Sequence, residues 1–232
     1  MNRDVIIACD FDSAQTLIEF LDLFTEEKPF VKFGMEIFYS AGAQLVRDVK
    51  KRGHKIFLDL KLHDIPQTVH KTMRVLSGLD VDMTNLHCAG GIAMMEAARN
   101  GLTRDDGTRP LLIGVTQLTS TSQATLENEL LIKEPVADVV ATYARNAKSA
   151  GLDGVVCSPL ESGIVHNKLG SSFLTVTPGI RFADSTKDDQ CRITTPEGAK
   201  ELGSNMIVVG RPITQAIDPV AAYTRCVKEF CS

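Results

Sequence analysis

The sequence predicts an α/β fold of the (β/α)8 kind, and three observations carry that expectation. Eight short runs of β-branched or apolar residues recur along the 232-residue chain, at 5–9, 30–34, 55–60, 83–88, 111–116, 154–158, 173–177 and 206–210. The runs are near-continuously apolar rather than alternating, which is the pattern of parallel strands covered on both faces. Most of the intervals between them suit one βα unit, and eight such units in this length make a TIM barrel. An open doubly wound sheet is the alternative architecture.

Taken in order, VIIAC at 5–9 leads to Ser13, a suitable N-cap for a helix reaching Glu26 with Leu17, Ile18, Leu21 and Phe24 on its apolar face. FVKFG at 30–34 is followed by a helical pattern from Ala41 to Lys51, KIFLDL at 55–60 by one from Thr68 to Leu76, and MTNLHC at 83–88 by one from Gly91 to Leu102. The long interval after LLIGVT at 111–116 accommodates a short helix over Gln123–Leu131 before another from Pro135 to Ala150. After GVVCS at 154–158 there is room for little more than SPLESGIVHNKLG before FLTVT at 173–177. MIVVG at 206–210 runs into Gly210-Arg211-Pro212, where proline suits a first helical turn. No linker rich in Pro, Gly or Ser divides the chain, so a single domain over 1–232 is expected.

Composition narrows the functional classes. With 44% apolar and 23% charged residues, disorder and collagen-like repeats are excluded. The balance of 25 basic against 29 acidic residues gives a net charge of −4, without basic runs interleaved with aromatics, so no nucleic-acid partner is expected. No apolar run reaches membrane-spanning length, and the amino terminus lacks a signal-like apolar segment, so the reading is a soluble, cytoplasmic protein with no membrane partner. Six cysteines without a CxxC spacing read as reduced thiols.

In a barrel of this kind the chemistry gathers at the carboxyl ends of the strands, so charges that close otherwise apolar strands are informative. Asp10 ends the first strand, Lys32 lies in the second, Asp59 and Lys61 end the third, and Asp64 follows in its loop. Asp59 and Lys61 are two apart and share a face of an extended strand. One Asp-x-Lys pair would serve equally well as a structural ion pair; its repetition points to a site. An ammonium flanked by carboxylates stays protonated, which suits Lys61 to act as an acid rather than as a Schiff-base nucleophile. Gly210 and Arg211, at the loop after the eighth strand, stand where this fold holds phosphate. The polar segment Thr177–Ala199 reads as a lid, or as a long surface loop, whose Arg181 and Gln190 would reach an anionic ligand. Thr119 and Ser120 offer hydroxyl and backbone donors to a polar heterocycle. The histidines show no metal-binding spacing, and Lys32 and Lys61 would repel a cation from the neighbouring carboxylates, so no metal is expected.

These residues carry a resemblance. IFLDLKLHDIPQTV, from Ile56 to Val69, resembles the signature of the orotidine 5'-phosphate decarboxylases in their shorter bacterial form, and the resemblance continues through IIACDF, VKFG, NLHCAGG, VTQLTS, VTPGIR and VVGRPIT, end to end and in order. Gln67 stands where relatives more often carry asparagine. The resemblance implies a TIM barrel that decarboxylates orotidine 5'-monophosphate to UMP without metal or organic cofactor, in UMP biosynthesis. It implies that Lys32, Asp59, Lys61 and Asp64 form an alternating charged network, that Asp64 crosses a homodimer interface to the neighbouring site, and that Lys61 delivers the proton to C6. It further implies that Asp10 and Lys32 bind ribose hydroxyls with Thr68 of the partner, that Thr119 and Ser120 meet the pyrimidine edge, and that Arg181, Gln190, Gly210 and Arg211 hold the phosphate, Gln190 bridging toward the base. The competing readings are a metal-dependent sugar-phosphate decarboxylase or aldolase of the same superfamily, a Schiff-base aldolase, and a nucleotide-binding module without chemistry. The first of these carries an acidic residue on the second strand, where this chain has Lys32.

Overall fold

The structure, a computed structural model, describes residues 3–184 and 193–232. Eight parallel strands, β1 (Asp4–Ala8), β2 (Phe30–Phe33), β3 (Ile56–Leu62), β4 (Met83–His87), β5 (Leu111–Val115), β6 (Gly154–Val156), β7 (Leu174–Thr177) and β8 (Met206–Val209), pair in sequence order. β8 pairs back onto β1, with Val5 opposite Ile207, so the sheet closes as expected and the open-sheet alternative falls. Side chains alternate along each strand. One set, including Ile6, Phe30, Phe57, Met83, Ile113, Val176 and Val208, packs together inside the barrel. The other, including Val5, Ile7, Val31, Leu58, Leu112 and Ile207, lies under the helices. Both faces are thus buried, which is why the runs read as continuously apolar.

Helix α1 (Ala14–Asp22) is capped by Ser13, whose hydroxyl accepts the Thr16 N–H. α2 (Met35–Lys51) begins earlier than the sequence pattern indicates, because Gly42 at φ 71° breaks it in two and its first segment buries only Ile37. α3 (Pro66–Ser77) follows, then α4 (Gly91–Leu102) after a 3-10 turn over Cys88–Gly90, α5 (Gln123–Asn128) and α6 (Val136–Ser149). α7 (Pro159–Leu169) fills the short interval after β6, within the segment SPLESGIVHNKLG. Its stripe is invisible in the sequence because Glu161 and Ser162 are buried while Leu160 is exposed. A capping box explains this: Ser158 N–H donates to the Glu161 carboxylate at 2.8 Å. α8 (Pro196–Glu201), α9 (Arg211–Thr214) and α10 (Pro219–Cys231) complete the ring.

The expected lid is corrected at both ends. Ile180, Arg181 and Phe182 are buried, and Pro196 and Ala199 are buried in α8, so these stretches are packed against the rest of the protein. The middle of that segment, with Gln190, lies outside the described residues. Among the described residues no helix is long and apolar enough to cross a membrane.

At the amino ends of the strands three side chains fix the pairing. Asp82 accepts the Ile56 N–H at 2.7 Å, Asp153 the Leu112 N–H at 2.7 Å, and Asn205 the Thr175 N–H at 2.8 Å. In each case a residue just ahead of an even-numbered strand holds an amide at the start of the strand before it. Lys50, 2.8 Å from Asp82, and Arg109, bidentate on Asp153, balance the two carboxylates.

Candidate active site

At the opposite end of the barrel, β3 departs from regular pairing. Leu58 lies opposite Thr84 and Leu62 opposite Leu86, so β3 uses four residues where β4 uses two. The surplus is a bulge over Asp59, Leu60 and Lys61. Lys61 takes φ 50°, a left-handed conformation that costs a non-glycine residue about 1–2 kcal/mol. Its N–H, turned out of the ladder, donates to Asn85 Oδ1 at 2.8 Å. Asn85 Nδ2 donates to Asp59 Oδ1 at 2.6 Å, and Lys61 Nζ reaches the same oxygen at 2.6 Å.

The chain of charges continues across the barrel. Lys32 Nζ lies 3.3 Å from Asp59 Oδ2 and 3.1 Å from Asp10 Oδ1, giving the order Asp10, Lys32, Asp59, Lys61. Burial alone would push the Lys32 ammonium down, but Asp59 and Asp10 outweigh it and hold the group above its ordinary value. Burial would likewise raise the Asp59 carboxyl, yet Lys32, Lys61 and the Asn85 amide bring it below the usual range. Both groups therefore stay charged despite being nine-tenths buried. Gly34 leaves the space for this: a Cβ there would lie 3.2 Å from Asp10 Oδ1 and 3.4 Å from Lys32 Nζ.

A cavity of about 390 Å3 opens over this chain. Lys32, Asp59 and Lys61 line one side, and Thr119, Ser120 and Arg211 line the other. Between them runs an apolar wall of Phe57, Val115, Val156, Pro178 and Val208. The arrangement suits a ligand with a flat apolar-faced ring, polar edges and an anionic group.

Of the remaining sequence candidates, Asp10 reaches the site through Lys32, with its side chain 57% exposed. Asp64 and Thr68 are exposed on the loop and first turn after β3, and Asp64 accepts the adjacent Ile65 N–H at 2.6 Å rather than joining the ion chain. Arg181 is buried beside the barrel end, its guanidinium donating to the Ile180 carbonyl at 2.8 Å, and is not among the residues lining the cavity. Gly210 is not demanded by the protein's own packing, since a Cβ there would make only an ordinary contact, 3.5 Å from Ala8 Cβ.

Three residues were given no site role by the sequence reading. Asn85 and His87 share the inward face of β4 with Met83, and Gln117 lies two beyond Val115 on β5, so strand parity alone could have found them. Gln117 lines the cavity. His87 packs against His63 with ring centroids 5.8 Å apart; burial first, then His63 and Lys61, hold its imidazole below the ordinary value.

Comparison with known proteins agrees with this geometry. The model of the orotidine 5'-phosphate decarboxylase / HUMPS family matches residues 3–226. A curated protein of Staphylococcus saprophyticus named orotidine 5'-phosphate decarboxylase is 56% identical over 224 residues, covering 97% of this chain and 96% of its own length. One of Staphylococcus aureus with the same name is 55% identical over the same shares. A crystal structure described as orotidine 5'-phosphate decarboxylase from Lactobacillus acidophilus matches with a TM-score of 0.89 and 44% identity, covering 100% of both chains.

Proposed function

Since the chain belongs to the orotidine 5'-phosphate decarboxylase / HUMPS family, we propose that it converts orotidine 5'-monophosphate to UMP and CO2 by direct protonation at C6. The observation that carries the reading is the unbroken line Asp10, Lys32, Asp59, Lys61, whose last three members line one side of a cavity that bears Thr119, Ser120 and Arg211 on the other. The bond from C6 to the carboxylate breaks with both electrons left on C6, CO2 departs, and the Lys61 ammonium gives its proton to that carbon. The neutral lysine then recovers a proton from solvent. The electron pair lies in the plane of the ring, where the π system cannot spread it, so fixed positive charge must stabilise it. Lys61, held 2.6 Å from Asp59, supplies both the charge and the proton. No metal or organic cofactor enters this scheme.

Asp10 and Lys32 take the ribose hydroxyls, Thr119 and Ser120 the pyrimidine edge, and Arg211 the phosphate, with Gly210 and Arg181 beside it. Asp64 and Thr68 act in the neighbouring site of a homodimer. Supporting this, residues 63–68 form an exposed run in which Ile65 is 66% exposed, an uncommon position for isoleucine unless another surface covers it. The setting is the cytoplasm, a reducing compartment that suits the five described cysteines, all free of disulfides.

The test is the ultraviolet absorbance change of orotidylate with purified, EDTA-treated protein. Rapid conversion to UMP is expected. A folded dimer that leaves orotidylate untouched would overturn the reading and favour the metal-dependent sugar-phosphate branch or a binding module. Against that branch stands Lys32, whose ammonium occupies the place of an acidic ligand between Asp10 and Asp59.

A further inference from the structure

We infer that Asn85 is a positioning residue for the decarboxylation, setting Lys61 and Asp59 relative to one another from the neighbouring strand. The inference rests on the proposed role of Lys61. Asn85 is fully buried, and it lies on β4 between the two points where pairing with β3 is regular, Thr84 opposite Leu58 and Leu86 opposite Leu62. It therefore faces the whole bulge alone. A bulge leaves ladder groups without backbone partners, and a buried N–H without a partner is costly. The Asn85 amide closes that gap with its two ends: Oδ1 accepts the Lys61 N–H at 2.8 Å, and Nδ2 donates to Asp59 Oδ1 at 2.6 Å.

The two bonds do different things. The first sustains the left-handed turn at Lys61, φ 50°, and so decides where the lysine side chain starts. The second fixes the rotation of the Asp59 carboxylate, because with Oδ1 held by Asn85 and Lys61, Oδ2 is left facing Lys32 at 3.3 Å. A single amide thus couples the backbone of the proton donor to the side chain that orients it. The carboxamide does both from two separate atoms, one acceptor and one donor, on one short side chain. A carboxyl can do so only while protonated.

That last point supplies the test. Asn85→Ala, Asn85→Asp and Lys61→Ala are compared, with the double variant of Asn85→Ala and Lys61→Ala, by kcat, UMP affinity, melting temperature and pH profile. Asn85→Ala is expected to lower kcat about 10- to 100-fold while UMP affinity changes less than about threefold. In the Lys61→Ala background the same change is expected to cost less than about threefold more, because it acts through a residue already removed. In Asn85→Asp the introduced carboxyl lies against Asp59 and Lys61 on β3, to which Lys32 on β2 and His87 on its own strand are electrostatically coupled. Beside ionised Asp59 it takes up its proton at raised pH, so the activity of this variant is expected to rise as pH falls, unlike that of the wild type. Should Asn85→Ala not fold, the pH profile of Asn85→Asp decides alone. An Asn85→Ala loss that is fully additive to Lys61→Ala, or that appears equally in UMP affinity, would overturn the inference, as would an Asn85→Asp profile parallel to the wild type. Collapse of Lys61→Ala is read separately: its absence would remove the catalytic reading itself, whatever Asn85 does.

Discussion

Between β1 and β4 the mouth of the barrel carries buried charge, whereas between β5 and β8 it carries an apolar wall with polar side chains at the rim. On the first side Lys32 and Asp59 are nine-tenths buried and bonded within the protein, to Asp10, Lys61 and Asn85. On the second, Val115, Val156, Pro178 and Val208 form a smooth surface below the exposed Ser120 and Arg211. The difference separates two tasks. Charge that is already oriented needs no reorganisation when an anionic centre develops beside it, so the first side is suited to chemistry. The second is suited to holding a ligand by burial and by contacts remote from the reacting carbon, which is where binding energy can be gathered without disturbing the chemistry.

The sharpest way to break that division is Lys61→Ala. It removes both the proton and its charge, and kcat should fall by about 10^4-fold or more while UMP affinity stays within about tenfold. Retained turnover, measured by orotidylate absorbance, would dissolve the distinction between the two sides.

Asp64→Ala comes next. Asp64 is exposed, so melting should move little, yet activity should fall about 100-fold if the carboxylate serves a neighbouring subunit. Purified heterodimers pairing an Asp64→Ala subunit with a Lys61→Ala subunit should then recover about half of the activity per dimer, because one of the two sites has both native residues. Heterodimers as inactive as the parents would place Asp64 outside any shared site.

Arg211→Ala tests the other side. Losing a charge-assisted contact should weaken UMP binding about 10- to 100-fold and leave uridine binding nearly unchanged. Equal losses for nucleotide and nucleoside, by titration calorimetry, would detach Arg211 from the phosphate.

The smallest effect is in stability. Because the Asp59 carboxyl is held below its ordinary 3.8, its contribution is complete above that value and is lost as pH falls through the folded value. Because the Lys32 ammonium is held above its ordinary 10.5, its contribution is complete below that value and is lost as pH rises through the folded one. These two contributions are thus constant between the limits and decline outside both, so Asp59→Asn should flatten the acid limb of the melting profile. An acid limb identical in the two proteins would assign it to other carboxylates.

Much of this was legible in the sequence, for physical reasons that can be named. Strands buried on both faces must be apolar throughout, so the eight runs gave away the barrel. Charges at the ends of such strands have few structural uses, so Asp59 and Lys61 stood out. Their common face followed from assuming an extended strand, but Lys61 is left-handed and its ammonium turns back onto Asp59 through a bulge. Nothing at a lysine announces that conformation. The alternation of Lys32, Asp59 and Lys61 was implied by the resemblance, but the place of Asp10 at the head of the ion chain was hidden, since it depends on strand register. α7 hid because a buried capping glutamate sits where an apolar residue was sought, and α8 because its polar surroundings read as a loop. Asn85 was within reach by parity but was outshone by the charged residues around it.

The Asp82 carboxylate, bonded to the Ile56 amide at 2.7 Å, lies at the opposite end of β3 from Lys61. Strand faces alternate, so a slip of β3 by one residue would present Leu58 and Leu60 to the mouth and send Asp59 toward the helices. Packing against the helices opposes such a slip only by the burial it would lose, because apolar contacts are not directional. The Asp82 bond does not, since one residue of travel takes the Ile56 amide about 3.3 Å away. Asp82 thus serves as an index mark: from the amino end of the strands it selects which side chains face the mouth at the other.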